Sequence, residues 1–212
     1  MGDDRVTFAT MAGPLLALLL AYLLGAIPFG VILTKLSGAG DLRAIGSGNI
    51  GATNVLRTGR KGLAAATLIL DGLKGTAAVV LCDRLFPGTA GLAAAFALIG
   101  HLYPVWLKFA GGKGVATLFG ILLGFSVIGE LHWAGPAAYA AIWIGLLLLI
   151  RYSSVAGMAA GLLAPVVAAM LGRFDLAMLF LGLGLLVLWK HRGNLDRLLS
   201  GTEPRIGAGR NG

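Results

Sequence analysis

From Val6 to Thr34 the chain carries no Asp, Glu, Lys, Arg or His. A helix that crosses the hydrocarbon core of a bilayer needs about 20 apolar residues, so the pattern predicts a transmembrane helix over 13–35. Six more apolar stretches follow, at 62–82, 88–107, 114–129, 133–150, 152–171 and 174–190. None alternates with a period of two, as the strands of a membrane barrel do. The expected fold is an all-α integral membrane protein, a polytopic bundle of seven transmembrane helices. Two stretches are weak. Their uncharged cores, 114–129 and 176–189, are short for a bilayer at about 1.5 Å per residue. They fit tilted, bundle-buried or re-entrant helices as well, and five spans is the alternative.

Composition agrees with that reading. Of 212 residues 58% are hydrophobic and 12% charged, against about 45–50% and about 25% in soluble domains. This excludes a soluble enzyme and a nucleic-acid-binding domain. The single cysteine, Cys82, cannot form an internal disulfide, and zinc or iron–sulfur spacing is missing. Gly, at 34 residues, is over-represented. Gly120–Gly124 and Gly157–Gly161 have the small-xxx-small spacing that lets membrane helices pack closely.

Charge placement predicts sidedness. With seven spans, thirteen of the 17 Lys and Arg fall on one side and three on the other, with Lys74 inside a span. The positive-inside rule makes the rich side cytoplasmic. The expected organisation is a short extracytoplasmic segment (1–12), one transmembrane catalytic domain (13–192) and a cytoplasmic C-terminal segment (193–212). Five spans give the same sidedness. Asp71 and Lys74, three apart in an apolar run, are expected to pair. That pair reads as structural or as support for a neighbouring polar site.

Three polar segments then land on the cytoplasmic face. The first, Ser47-Gly-Asn-Ile-Gly-Ala-Thr-Asn-Val-Leu-Arg57, offers Gly48 and Gly51, Asn49, Thr53 and Asn54 beside Ser47 and Arg57. Glycine permits close backbone approach, successive N–H groups make an anion nest, and the Arg fork suits phosphate. An ordinary basic interfacial loop is the plainer reading. The second runs from Gly100 to Thr117 and contains Gly111-Gly112-Lys113-Gly114, a cationic glycine loop that opens a helix. Helix N-termini attract phosphate. This is not an ATP-binding P-loop, which would need Gly at 107 and Ser or Thr at 114, where Leu107 and Gly114 stand. The third, Trp189 to Glu203, carries His191 and Asn194. Like charge from Lys190 and Arg192 biases His191 toward neutral, which suits hydrogen bonding to a hydroxyl; a basic membrane anchor is again the plainer reading. His191 and Asp196 match an H-x-x-x-x-D acyltransferase pattern, but five helical residues rotate about 140°, off a shared face. His132 falls in an outer loop with no assigned role. Beyond Ser200 the tail is Gly-rich and basic, and is expected to be disordered near anionic lipid, with Glu203 pairing a loop cation.

Together the strings S-G-N-I-G-A-T-N-V-L-R, G-H-L-Y-P-V-W-L-K-F-A-G-G-K-G-V-A-T and H-R-G-N-L-D-R-L-L-S-G-T-E resemble the three signatures of the bacterial acyl-phosphate-dependent glycerol-3-phosphate acyltransferase (PlsY) family, in content and order. The likeness runs from the first helix to Glu203. Lys190 and Gly193 depart from the Arg and bulkier residues common in relatives. The resemblance implies transfer of a fatty acyl group from acyl phosphate to the 1-hydroxyl of glycerol 3-phosphate. The products are 1-acyl-glycerol 3-phosphate and phosphate, the first acylation of phospholipid synthesis. It implies no cofactor, no metal and neither acyl-CoA nor acyl carrier protein as direct donor. It assigns Ser47, Arg57, His191 and Asn194 to catalysis, and Lys113, Gly111, Gly112, Gly114, Asn49, Gly51, Thr53 and Asn54 to substrate binding. The site is expected in the bacterial inner membrane, facing the cytoplasm, with membrane lipid and a peripheral acyl-phosphate-producing enzyme as partners. The alternative is a membrane transporter of an organic phosphate, which would favour inverted repeats and a midplane site.

Overall fold

The computed structural model describes residues 3–207. These are helices and loops, with no strand among them. The chain folds as two compact units, Met1–Glu130 and Leu131–Gly212. The first contains α1 (Asp3–Gly25), α2 (Phe29–Leu36), α3 (Ala52–Leu56), α4 (Lys61–Leu85), α5 (Ala90–Leu102) and α6 (Val115–Val127). The second contains α7 (Ala134–Ile150), α8 (Ser153–Met170), α9 (Phe174–Lys190) and α10 (Arg192–Leu199).

Large apolar side chains face outward. Leu148, Leu149, Met170 and Phe174 are each at least 70% exposed, an arrangement suited to lipid and not to water. Small residues fill the inside. In the first unit Ala17, Ala21, Ala78, Cys82, Ala93 and Ala97 form a buried cluster, with Leu20, Leu24, Phe86 and Phe96 packed around it. Both glycine pairs singled out by spacing lie in helix contacts. A Cβ on Gly120 would fall on the backbone of Gly72 in α4, and one on Gly184 in α9 would fall on the Gly161 carbonyl in α8. The Thr76 hydroxyl donates to the Gly120 carbonyl at 2.8 Å across the same α4–α6 seam. Gly120→Leu should therefore destabilise the first unit by at least about 1–3 kcal/mol through overpacking, read as a lower thermal midpoint in detergent. Gly62→Ala on the same α4, where nothing lies within 4 Å of the added carbon, should leave the midpoint unchanged or raise it slightly.

Each of the seven expected stretches holds apolar helix, the first of them as two helices, α1 and α2. Ala12–Leu36, Lys61–Leu85, Ala90–Leu107 and Ser153–Met170 are long and apolar enough to cross a membrane, and α9 with α10, bent by 56°, makes a fifth if taken as one span. α6 and α7 are apolar but shorter, at 13 and 17 residues. Thirteen residues cover about 20 Å of a hydrocarbon core about 30 Å thick, which agrees with the weakness read in 114–129.

Three expectations change. The first helix starts at Asp3, not near 13, and is not continuous to 35: it ends at Gly25 and resumes at Phe29. Pro28 explains the break, since it has no N–H for the helical ladder and its ring clashes with the preceding turn. The carbonyls exposed there are satisfied from elsewhere. Ala26 accepts from the Trp106 indole at 2.7 Å, and Ile27 accepts from the Lys74 ammonium at 2.8 Å. Second, α5 ends at Leu102, short of 107, because the chain turns through Pro104 into a 3-10 turn at Val105–Leu107. Third, the tail is ordered through 207. Arg151 and Ile206 exchange hydrogen bonds at 2.8 and 3.0 Å, and the Arg205 guanidinium donates to the Tyr152 hydroxyl at 3.1 Å. The expected disorder after Ser200 is overturned for that stretch; 208–212, with Arg210, lies outside the described residues.

Candidate active site

The first polar segment is organised by one side chain. Asn54, buried on α3, donates its amide hydrogens to the Leu42 and Ile45 carbonyls at 3.0 and 2.9 Å. Its amide oxygen accepts from the Ser47 N–H at 3.2 Å and the Arg57 guanidinium at 3.4 Å. One oxygen thus holds Ser47 and Arg57 side by side, both exposed. The turn that carries Ser47 is left-handed at Gly46 and Gly48 (φ 54° and 68°), a conformation that glycine adopts without strain. The Arg57 side chain lies over Gly46, where a Cβ would strike it. The Asn49 side chain accepts from the Gly51 N–H at 3.0 Å, closing the turn into α3, while Thr53 stays exposed. Asp41 is engaged by Arg43 at 2.8 Å, and that hydrogen bonding holds its carboxyl below the usual range.

The second segment is folded back onto the end of α5. The Gly111 and Gly112 N–H groups donate to the carbonyls of Leu102 and His101, at 3.2 and 3.1 Å. Gly114 takes φ 86° and α6 begins at Val115, which sets Lys113 beside the positive end of a helix dipole. The Tyr22 hydroxyl donates to the Tyr103 carbonyl at 2.9 Å, so the end of α1 pins the same loop. Leu107 packs on the core of Leu42, Ile50, Val55 and Ala64 beneath the first segment. The first unit thereby seats both segments on one patch of core. Gly111 and Gly112 have a role that spacing alone did not reveal. A methyl at either would strike His101, on its carbonyl or its ring.

The third segment lies in the second unit. His191, buried, closes α9 and opens α10. Its Nδ1 is 2.8 Å from the Val187 carbonyl oxygen. A carbonyl only accepts, so Nδ1 carries the hydrogen and Nε2 is the nitrogen able to accept one while the ring is neutral. Asn194, buried one turn on, donates to Glu203 at 2.6 Å. Glu203 also accepts from the Ser154 hydroxyl at 2.7 Å and from Arg197 at 2.8 Å. Burial raises the Glu203 carboxyl, but these donors and the Arg197 charge outweigh it and leave the group below its ordinary value. α10 is helical through Asp196, so the His191–Asp196 pairing stays off a shared face. Sequence reasoning did not single out His101 or Ser154, and it gave Glu203 only a generic cation partner. The contacts of His101 and Ser154 come from distant chain positions and leave no local signal. No group of three or more His, Cys, Asp or Glu able to hold a metal occurs among the described residues.

Outward-facing apolar helices joined by glycine-rich cationic loops define a multi-pass membrane protein. The sequence profile described as glycerol-3-phosphate acyltransferase matches residues 15–201. Relatives of that name include one from Mesorhizobium japonicum, 53% identical over 92% of this chain and 97% of its own, and one from Brucella ovis, 56% identical over 91% and 92%. Among solved structures, the chain resembles PlsY (YgiH), an integral membrane glycerol 3-phosphate acyltransferase. In its glycerol 3-phosphate form the TM-score is 0.83 at 35% identity, covering 92% of this chain and 96% of that one. Its lysophosphatidic acid form gives 0.81 at 33%, over 92% and 95%. The chain belongs to the glycerol-3-phosphate acyltransferase family; it is an acyltransferase and a multi-pass bacterial membrane protein.

Proposed function

We propose that this chain transfers a fatty acyl group from acyl phosphate to the 1-hydroxyl of glycerol 3-phosphate, giving 1-acyl-glycerol 3-phosphate and inorganic phosphate. The observation that carries the reading is the pairing of Ser47 with Arg57 on one Asn54 oxygen, a hydroxyl and a guanidinium set together on a glycine-flanked turn. Support comes from the solved relative, whose two forms are those of glycerol 3-phosphate and lysophosphatidic acid. In this scheme Ser47 and Arg57 hold phosphate. Lys113, in the loop of Gly111, Gly112 and Gly114, takes the phosphate of glycerol 3-phosphate. His191 and Asn194 orient the acceptor. Asn54, with its amide already used, shapes the first loop from behind, and Asn49 and Gly51 shape the turn next to it.

The chemistry is an acyl substitution. The acceptor oxygen attacks the acyl carbon, the bond from that carbon to the phosphate oxygen breaks, and phosphate leaves. The acceptor proton passes to His191 Nε2 or to a phosphate oxygen of the donor. A mixed anhydride already has a good leaving group, so positioning and charge neutralisation supply most of the acceleration. The membrane domain 13–192 and the segment 193–212 take the orientation of the charge tally, with the polar loops cytoplasmic. There they meet membrane lipid and an enzyme that makes the donor.

The test uses purified protein in detergent, with palmitoyl phosphate as donor. Phosphate release that depends on glycerol 3-phosphate, with matching lysophosphatidic acid by mass spectrometry, is the expected result. Equal release without acceptor, turnover with acyl-CoA in place of acyl phosphate, or uptake of glycerol 3-phosphate into liposomes without acylation would overturn it. Lys113→Ala should raise the KM for glycerol 3-phosphate about 10- to 100-fold, the worth of a hydrogen bond to a charged group, with the donor KM little changed.

A further inference from the structure

A buried charge cluster in the first unit has no part in that scheme. Asp71 and Lys74, three residues apart on α4, are paired at 2.7 Å with side chains 5% and 2% exposed. Burying an ion pair among apolar helices carries a desolvation cost that the attraction of the two charges often does no more than balance. Stability alone is therefore a poor reason for this one.

Its further contacts point elsewhere. Lys74 reaches past the pair to the Ile27 carbonyl, 2.8 Å away in the break between α1 and α2. On the other side, His101 Nδ1 is 3.9 Å from the same Asp71 oxygen that Lys74 pairs with. The opposite edge of the ring faces the glycine loop, since a methyl on Gly112 would meet His101 Nε2 first. The His101 carbonyl also accepts the Gly112 N–H at 3.1 Å. The helix that the loop opens is tied to the same place, because the Thr117 hydroxyl of α6 donates to the Asp71 carbonyl at 3.0 Å. The cluster thus joins three backbone features: the broken first span, the start of α6 and the underside of Gly112.

We propose that Asp71, Lys74 and His101 are positioning residues that fix the height of the Gly111–Gly114 loop, and with it the placement of Lys113 for the phosphate of the acceptor. The cluster touches no substrate and moves no proton in the reaction. The inference rests on the reading of this loop as the acceptor's phosphate site.

The decisive measurements are kcat, both KM values and thermal midpoints for His101→Ala, His101→Asn, Gly112→Ala and the two double variants. Each His101 variant should raise the KM for glycerol 3-phosphate roughly tenfold, a cost of about 1.4 kcal/mol, and leave the palmitoyl phosphate KM within about twofold. Gly112→Ala should raise the acceptor KM further, because its methyl strikes the ring. Combining it with either His101 variant should bring the KM back to that of the His101 variant alone. A general packing role would instead lower the midpoint and the active fraction, shift neither KM selectively, and make the two changes additive; that outcome overturns the proposal. If His101→Ala does not fold, His101→Asn carries the test, since its amide keeps a donor toward Asp71 and vacates the edge facing Gly112. Lys113→Ala separates the two claims. An unchanged acceptor KM in that variant removes the loop reading and this proposal with it. A raised KM there, with normal values in the His101 variants, removes only the positioning role.

Discussion

Replacing His191 by alanine should lower acyl transfer by about 10²–10⁴-fold, the range for loss of a positioned acid–base group. The side chain is 2% exposed, and its Nδ1–H is committed to the Val187 carbonyl at 2.8 Å. That bond fixes both the tautomer and the ring plane, so under the proposed function Nε2 meets the acceptor hydroxyl in one geometry. The alanine variant removes the contact that orients the acceptor and, on the route through the ring, the proton acceptor as well. The effect should fall on kcat, with the thermal midpoint lowered only by the loss of one buried side chain. The wild-type pH–rate profile then separates the two proton routes. An acidic limb at or below the free-histidine value of about 6.5, distinct from the second phosphate ionisation of the substrates at about 6, points to His191 as the proton acceptor. A profile that follows only that phosphate ionisation points to the donor phosphate.

Glu203→Ala should destabilise the second unit. It strips Asn194 and Ser154 of a shared acceptor. A hydrogen bond to a charged group is worth about 1.5–3 kcal/mol; Arg197, 38% exposed, can turn to water and adds little. Activity should fall as well, since Asn194 loses the contact that orients its amide. Glu203→Gln is the finer probe. Its carbonyl still accepts from Ser154 and Asn194, but its amide nitrogen opposes the Arg197 donor, so a smaller loss is expected. The sign of the pH dependence follows from the lowered carboxyl. Stability from Glu203 is present in full above its ordinary value of 4.5 and is lost as pH falls through the lower folded value. Thermal midpoints from pH 7 down to the onset of acid unfolding should drop more steeply for wild type than for Glu203→Gln.

The helices were legible because a span must be apolar along its whole length, and charge-free runs such as 6–34 are visible without tertiary knowledge. Pro28 was visible too. Its effect was not, because a membrane helix keeps a proline or breaks at it according to what satisfies the freed carbonyls. Here those partners are Trp106 and Lys74, far along the chain. The residue types of the candidate site could be read from the three segments. Their division of labour could not, since Asn54 looks as able to bind substrate as Ser47 until its amide is seen to be occupied. The ordered tail was missed for the same reason. Local composition reads as disorder, while Ser154–Glu203 and Arg151–Ile206 join positions 49 and 55 residues apart.

The bend in the first span has a consequence for biogenesis. Its two exposed carbonyls find their donors 47 and 80 residues downstream. A ribosome adding about 5–20 residues per second delivers the second of these only about 4–16 s later. Until then the nascent segment must borrow water, or the polar lining of the insertion machinery, to satisfy its backbone. Its final shape is set only when Trp106, just past α5 and halfway along the chain, has been made, so the first part to be synthesised stays unsettled until half the protein exists.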